Sequence, residues 1–319
     1  MNRRFAVLQA VFSLIALAAV VWWASHQDAP QLPQTTEAVS WMLAAGAFYA
    51  LATLVRAERW HRILHQTGVQ AGRSDCYALT TVGYMGNNVL PARAGEALRV
   101  VLLDARTGAG KRTLLGTIVA ERILDVIVLS LILVIAAYGV LDRDVLPTDS
   151  PLLIAGIGFA LLALALGVFS SLRRRGALER LRDFARPLAG ASRALAGREG
   201  LPLLAATGVL WLIEGAVYLS VAHAVELDIS TTGAMYLVAL TNFVAAIPAA
   251  PGSIGTFDAA VAFGARALGG AGSAVTSYLL LLRFVLYVPI TIVGLLILVL
   301  RYGGWARLRE ATRLQASRA

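Results

Sequence analysis

The sequence predicts an all-α polytopic membrane fold with six full transmembrane helices and two re-entrant helical hairpins in an inverted-topology repeat. Three observations predict it. Of the 319 residues, 58% are hydrophobic and only 15% charged, and several apolar runs are long enough to cross a hydrocarbon layer about 30 Å thick. Two segments, 86–96 and 242–258, carry Pro, Gly and polar residues at comparable places in the two halves. Basic residues gather in alternate loops.

Apolar runs near 5–24, 38–55, 114–139, 151–172, 201–222 and 274–300 give six crossings. The first follows Arg3 and Arg4 and has a signal-like charge pattern. It is longer than the usual h-region of about 7–15 residues, and no A-x-A site follows Trp22 and Trp23, so a retained span is expected. Between the crossings, 75–104 and 230–268 each fold around a Pro/Gly break. As helix, 75–90 climbs about 24 Å and 95–104 about 15 Å, lengths suited to half-membrane excursions.

The arginines orient these elements, because cytoplasmic flanks collect Lys and Arg. Segments 1–4, 56–73, 93–112, 173–198 and 301–319 hold 24 of the 28 basic residues. They share one side if each hairpin enters and leaves by the same face. The opposite loops, 25–37, 140–150 and 223–229, contain Arg143 as their one basic residue, against seven acidic ones. Both termini are therefore expected in the cytoplasm and the protein in the cell (inner) membrane. The order span, span, hairpin, span then occurs twice with opposite orientation, in halves of approximately 1–140 and 151–300. Pro and Gly kinks are also common in ordinary membrane helices, which keeps eight full spans as the competing topology.

Non-helical backbone survives at membrane depth only where protein or a watery cavity satisfies it. Restarting a helix after Pro91 leaves free amide N–H groups around 94–97, and the positive helix end points into the membrane beside Asn88, Arg93 and Gly95. An anionic headgroup suits that place. In the second half, Pro248, Pro251, Gly252 and Gly255 allow close backbone approach, with Ser253 expected to cap the next helix.

Charges inside the spans add to this reading. Glu121, Arg122 and Asp125 lie two to three turns into the third crossing, Glu214 is mid-span, and Arg283 is near the centre of the last crossing. Each costs about 2.5–3.5 kcal/mol at bilayer depth unless paired or hydrated. Static pairs of Arg122 with Asp125, Glu96 with Arg99, and Arg283 with Glu214 or Asp258 are the bland alternative to a polar pathway.

The pattern Asn88-x-x-Pro91-x-Arg93-x-Gly95-Glu96-x-x-Arg99, then Glu121-Arg122-x-x-Asp125, then Pro248-x-x-Pro251-Gly252-x-x-Gly255-x-x-Asp258 resembles the lysylphosphatidylglycerol synthase transmembrane-region family. Arg56-Ala57-x-Arg59-Trp60 fits as well, and the likeness covers essentially 5–300. In full-length members the module is implicated in moving aminoacylated phosphatidylglycerol between leaflets, while a separate cytosolic domain attaches the amino acid. The resemblance thus implies translocation, and a stand-alone member without the aminoacyltransferase domain is expected. Asp258 departs from the Glu often found there.

Other chemistries fit poorly. Cys76, the single cysteine, excludes an intrachain disulfide framework and a multi-Cys metal site. His61 and His65 share a helical face without an evident third ligand. Asp142-Arg143-Asp144 mimics a sugar-transferase metal motif but falls on the outside. Gly252-Ser253-Ile254-Gly255 looks like a serine-protease motif but no base is placed for it. Segment 173–198, with Leu178, Leu181, Phe184, Leu188 and Leu195 at near-helical intervals, reads as a cytoplasmic amphipathic stretch on anionic lipid, and 301–319 as a cytoplasmic tail. Positive-inside topology explains a pI near 10.3, and no nucleic-acid module is present.

The expectation is a single transmembrane domain, 1–319, that is not an enzyme and needs no cofactor or metal. It moves an anionic or aminoacylated phospholipid, or a lipid-linked headgroup. Asn88, Arg93, Glu96, Arg99, Glu121, Arg122, Asp125, Ser253, Asp258 and Arg283 are the candidate substrate-binding residues; Arg93, Arg99 and Arg122 attract phosphate, and Glu96, Glu121 and Asp258 balance charge or hold a cationic group. Membrane lipids, anionic phospholipid or polyprenyl-phosphate-linked, are the expected partners, with a separate aminoacyl- or glycosyltransferase as a further candidate. The alternatives are a membrane partner of a glycolipid or polyprenyl-phosphate glycosyltransferase, or an intramembrane enzyme on lipid phosphate.

Overall fold

A computed structural model describes residues 30, 33–90, 93–139, 200–245 and 251–303. The spans expected at 5–24 and 151–172, the segment 173–198, most of the tail, Pro91 and Pro248 lie outside the described residues.

Eight α-helices and one 3-10 turn make up the described residues: α1 Thr36–Gln66, α2 Arg73–Val89, α3 Ala94–Thr107, α4 Lys111–Gly139, α5 Gly200–Ala224, α6 Thr231–Ala245, the turn Pro251–Ser253, α7 Thr256–Ala267 and α8 Gly272–Tyr302. Helices α1, α5 and α8 are long and apolar enough to cross a membrane. Helix α4 runs unbroken for 29 residues through Glu121, Arg122 and Asp125. The expected hairpins are pairs of short helices, of 17 and 14 residues in α2 and α3, and of 15 and 12 in α6 and α7. The arm after the first break is longer than expected: α3 continues to Thr107 and stops where Gly108 takes a left-handed conformation and donates its N–H to Asp104 O.

Local chemistry sets the other ends. Thr35 Oγ1 accepts from Ala38 N–H at 3.1 Å, with Glu37 in the favourable first turn of α1. Leu90, the residue before a proline, is extended (φ −96°, ψ 147°), which ends α2. Ser230 Oγ accepts from Gly233 N–H at 3.1 Å to start α6.

Helix α1 packs along α5, and the two are antiparallel: Trp41 stacks on His223, Arg56 meets Glu214, and Arg59 meets Thr207. Helix α2 packs on α8, and α4 on α6. Likewise α2 packs on α3 and α6 on α7, α1 on α2 and α5 on α6, and α3 on α4 and α7 on α8. Among the described residues α4 also packs on α5 and α1 on α8, and α1 on α4 and α5 on α8. Exchanging α1–α4 for α5–α8 leaves this set of neighbours unchanged. Outward faces stay apolar, as in Leu43 of α1, Leu131 of α4 and Leu300 of α8, as hydrocarbon contact requires.

The first hairpin closes without room for side chains. A Cβ on Gly95 would lie 2.5 Å from Asn87 N and 2.7 Å from Asn87 Oδ1, and would collide with the carbonyl oxygen of Gly83. Gly95→Val is therefore expected to cost about 1–3 kcal/mol through overpacking against backbone that cannot yield. Thermal melting of the detergent-solubilised variant checks this.

Candidate functional site

The two breaks meet. Gly252 sits at φ 64°, a left-handed conformation that favours glycine, and a Cβ there would lie 3.4 Å from Asn88 O and 3.2 Å from Tyr287 Cε1. Arg93 Nη1 donates to Ala245 O at 3.4 Å, across from the first break to the second. Asn88 Nδ2 donates to Thr291 Oγ1 at 2.9 Å, fastening the end of α2 to α8.

Between the breaks lies a cavity of about 100 Å³. Its lining includes Asn88 and Arg93 from the first half, Asn242, Gly252 and Ser253 from the second, and Tyr84, Glu214 and Tyr287 around them. That is room for several waters or a small polar group. Arg93 is the cation that decides its character. Its backbone is left-handed (φ 55°, ψ 36°), which costs a non-glycine residue roughly 1–2 kcal/mol. The side chain keeps 35% of its surface accessible.

The other arginines are committed to partners within the protein. Arg59 donates to Asp125 at 2.7 Å and to Thr207 at 2.9 Å, and lies 3.7 Å from Glu121. Arg99 donates to Glu121 at 3.0 Å and stacks on the Trp60 ring at 3.9 Å. Arg56 pairs with Glu214 between the rings of Tyr84 and Trp211. The structure thus places Arg99, Glu121 and Asp125 in a buried network joining α1, α3, α4 and α5, outside the cavity lining. Arg122 bridges Asp125 at 3.2 Å and Glu96 at 3.3 Å on the outer side of that network.

Counting this cluster, five guanidinium groups (Arg56, Arg59, Arg93, Arg99, Arg122) face four carboxylates (Glu96, Glu121, Asp125, Glu214). The surplus falls at Arg93, because Glu96, 3.8 Å away, is shared with Arg122.

In the second half, Arg283 forms a two-pronged pair with Asp258, one prong at 2.8 Å, and donates to Gly252 O at 3.3 Å and Ser253 O at 3.4 Å. Asp258 Oδ2 also accepts from Gly255 N–H at 2.8 Å. Gly255 therefore occupies the cap position, and the capping expected of Ser253 is done by Asp258. Ser253 offers its carbonyl, which Thr256 Oγ1 and Arg283 share. Glu96 pairs with Arg122 where Arg99 was expected, since α3 turns Arg99 inward onto Trp60. Of the two partners considered for Arg283, the structure selects Asp258 and leaves Glu214 to Arg56.

Glu96 and Asp258 are each two residues after the start of their helix, at Ala94 and Thr256. Arg122 and Arg283 are each eleven after theirs, at Lys111 and Gly272. The two ion pairs occupy matching positions. A sequence profile described as the lysylphosphatidylglycerol synthase TM region matches residues 7–294. The chain belongs to this family. Among individual proteins, glycosyltransferase AglD of Haloferax volcanii is 24% identical in an alignment 264 positions long that covers 68% of this chain and 42% of that protein. UPF0104 membrane protein PH1989 of Pyrococcus horikoshii is 24% identical over 120 residues, which is 37% of this chain and 36% of that one. The chain aligns with less than half the length of either relative.

Sequence reasoning left Tyr84, Tyr287 and the pairing of Arg56 with Glu214 outside the site. Tyr287, four residues after Arg283 on the same helical face, and Tyr84, three before Asn87, carried the signal.

Removing one partner of Arg56–Glu214 is expected to cost about 3–5 kcal/mol, because the remaining charge stays buried. The joint replacement Arg56→Met with Glu214→Leu should cost less than the sum of the two single changes. A double-mutant cycle of unfolding free energies in detergent measures this.

Proposed function

We propose that the protein is a lipid carrier with six full spans and two re-entrant hairpins in an inverted-topology repeat. It passes the headgroup of an anionic or aminoacylated phospholipid, or a lipid-linked headgroup, across the membrane while acyl chains remain in hydrocarbon. The observation that carries the reading is a cavity lined by both helix breaks with the surplus cation Arg93 at its edge. A planar guanidinium suits phosphate because its donors match two phosphate oxygens at once. The antiparallel α1 and α5, the interchangeable helix neighbours and the matching ion pairs support the inverted repeat. Carriers built this way place their site where broken helices meet near the midplane. No residue is assigned a bond-making role.

A second reading is a membrane partner of a glycosyltransferase acting on a lipid-linked substrate, favoured by the likeness to AglD. Leaflet-resolved transport with the purified protein in liposomes separates the two. Movement of an anionic phospholipid analogue by the protein alone supports the carrier. No movement alone, with product formed once a transferase is added, supports the partner.

For the topology, single cysteines in a Cys76→Ser background at positions 108 and 190 are expected to react with impermeant reagent only from the cytoplasm. Those at 30, 146 and 271 should react only from outside. Labelling of 108 and 271 from the opposite sides would remove the re-entrant hairpins.

For the site, Arg93→Ala is expected to slow transport about tenfold or more, the size of a lost charged hydrogen bond, at unchanged protein level. Arg93→Lys should retain part of the rate. Gly252→Leu should abolish transport, since its side chain meets Tyr287 and the strand of backbone at Asn88. Transport assays at matched expression check all three.

A further inference from the structure

The matching pairs Glu96–Arg122 and Asp258–Arg283 differ in how tightly they are made. Asp258–Arg283 is two-pronged and adds carbonyl contacts to the second break, with 5% and 20% of the side-chain surfaces accessible. Glu96–Arg122 is a single approach of 3.3 Å with 24% and 35% accessible, and Arg122 Nε finds no hydrogen-bond partner among the described residues. One sequence difference accompanies this. Three residues after Arg122 stands Asp125, which holds the guanidinium at 3.2 Å, whereas three residues after Arg283 stands Leu286.

We infer that the two pairs are the latches of the carrier's two faces, closed in turn, with Asp258–Arg283 shut and Glu96–Arg122 loosened, its guanidinium shared with Asp125, in the conformation described. The inference rests on the repeat proposed above and names residues that position the hairpins. Inverted halves can exchange conformations, so the shut geometry of one half is the shut geometry available to the other. Arg122 then leaves Asp125, which keeps Arg59 as partner, and takes both oxygens of Glu96. Arg283, with no second carboxylate beside it among the described residues, releases Asp258 and the carbonyls of Gly252 and Ser253, freeing the second break to move. Asp125 supplies a resting place that makes the first latch the easier one to open.

The test uses the full chain in sealed proteoliposomes, with Ala245→Cys in a Cys76→Ser background as a reporter in the cavity lining. An impermeant maleimide is applied from either face, and the ratio of the two labelling rates is read. Glu96→Gln and Asp258→Asn are expected to move that ratio in opposite directions, the partly exposed Glu96 pair by about two- to fivefold and the more buried Asp258 pair by at least as much. If Asp258→Asn lowers the folded yield, Leu286→Asp gives Arg283 the second carboxylate that Arg122 has, and should move the ratio in the same sense as Asp258→Asn. Shifts in one direction for both halves, or no shift in either, overturn the latches. Opposite shifts in a protein that moves no lipid keep the latches and reject the carrier.

Discussion

A helix that stops inside a packed interior leaves free backbone N–H and C=O groups at its ends, each costing about 1–3 kcal/mol or more if nothing answers it. The centre of this protein is organised around answering them. Arg93 reaches from one break to the carbonyl of Ala245 in the other, Arg283 takes the carbonyls of Gly252 and Ser253, and Asp258 accepts from Gly255 N–H. Because carbonyls of the second break are answered by Arg93 of the first break and by Arg283 of α8, the two breaks and α8 are tied together. The polar cavity follows from that requirement, since water or a ligand can complete what the protein groups leave over.

The buried ion network supplies rigidity on the other side of the cavity. Arg59 and Arg99 share Glu121, and Arg59 also holds Asp125, with little exposure, and the cation–ring contact of Arg99 with Trp60 fills the space beside them. Such clusters are weak sources of net stability, because desolvation offsets much of the attraction. Their geometry is nonetheless specific: a shift of α1 against α5 or α4 would strand a charge. The fixed network thus gives the hairpins a frame, while the partly exposed Glu96 and Arg122 lie at its edge.

Much of the fold was legible in the sequence, and the pairing of charges was not. Apolar runs marked α1, α5 and α8, and Pro/Gly segments marked the breaks, because both signals are local. Partner choice is tertiary. Spacing along one helix brought Glu96 to Arg99, yet side-chain direction sends Arg99 to Trp60 and leaves Glu96 to Arg122 on the next helix. Ser253 has the residue type of a cap, but its left-handed backbone (φ 50°) directs its carbonyl where the hydroxyl was expected to act. Tyr84 and Tyr287 come together only because two halves far apart in sequence enclose one cavity.

The antiparallel contact between α1 and α5 carries a consequence for ancestry. Arg56 and Glu214 are 158 residues apart, the same offset that separates the starts of α2 and α6 at Arg73 and Thr231. On the proposed repeat they are the same position in two copies, facing each other at the axis that relates them. A symmetric dimer of either half would set arginine against arginine or glutamate against glutamate there, since such an interface pairs each residue with its own equivalent. On that repeat, joining the halves in one chain is what lets an arginine meet a glutamate at the axis, a pairing that two identical halves could not make.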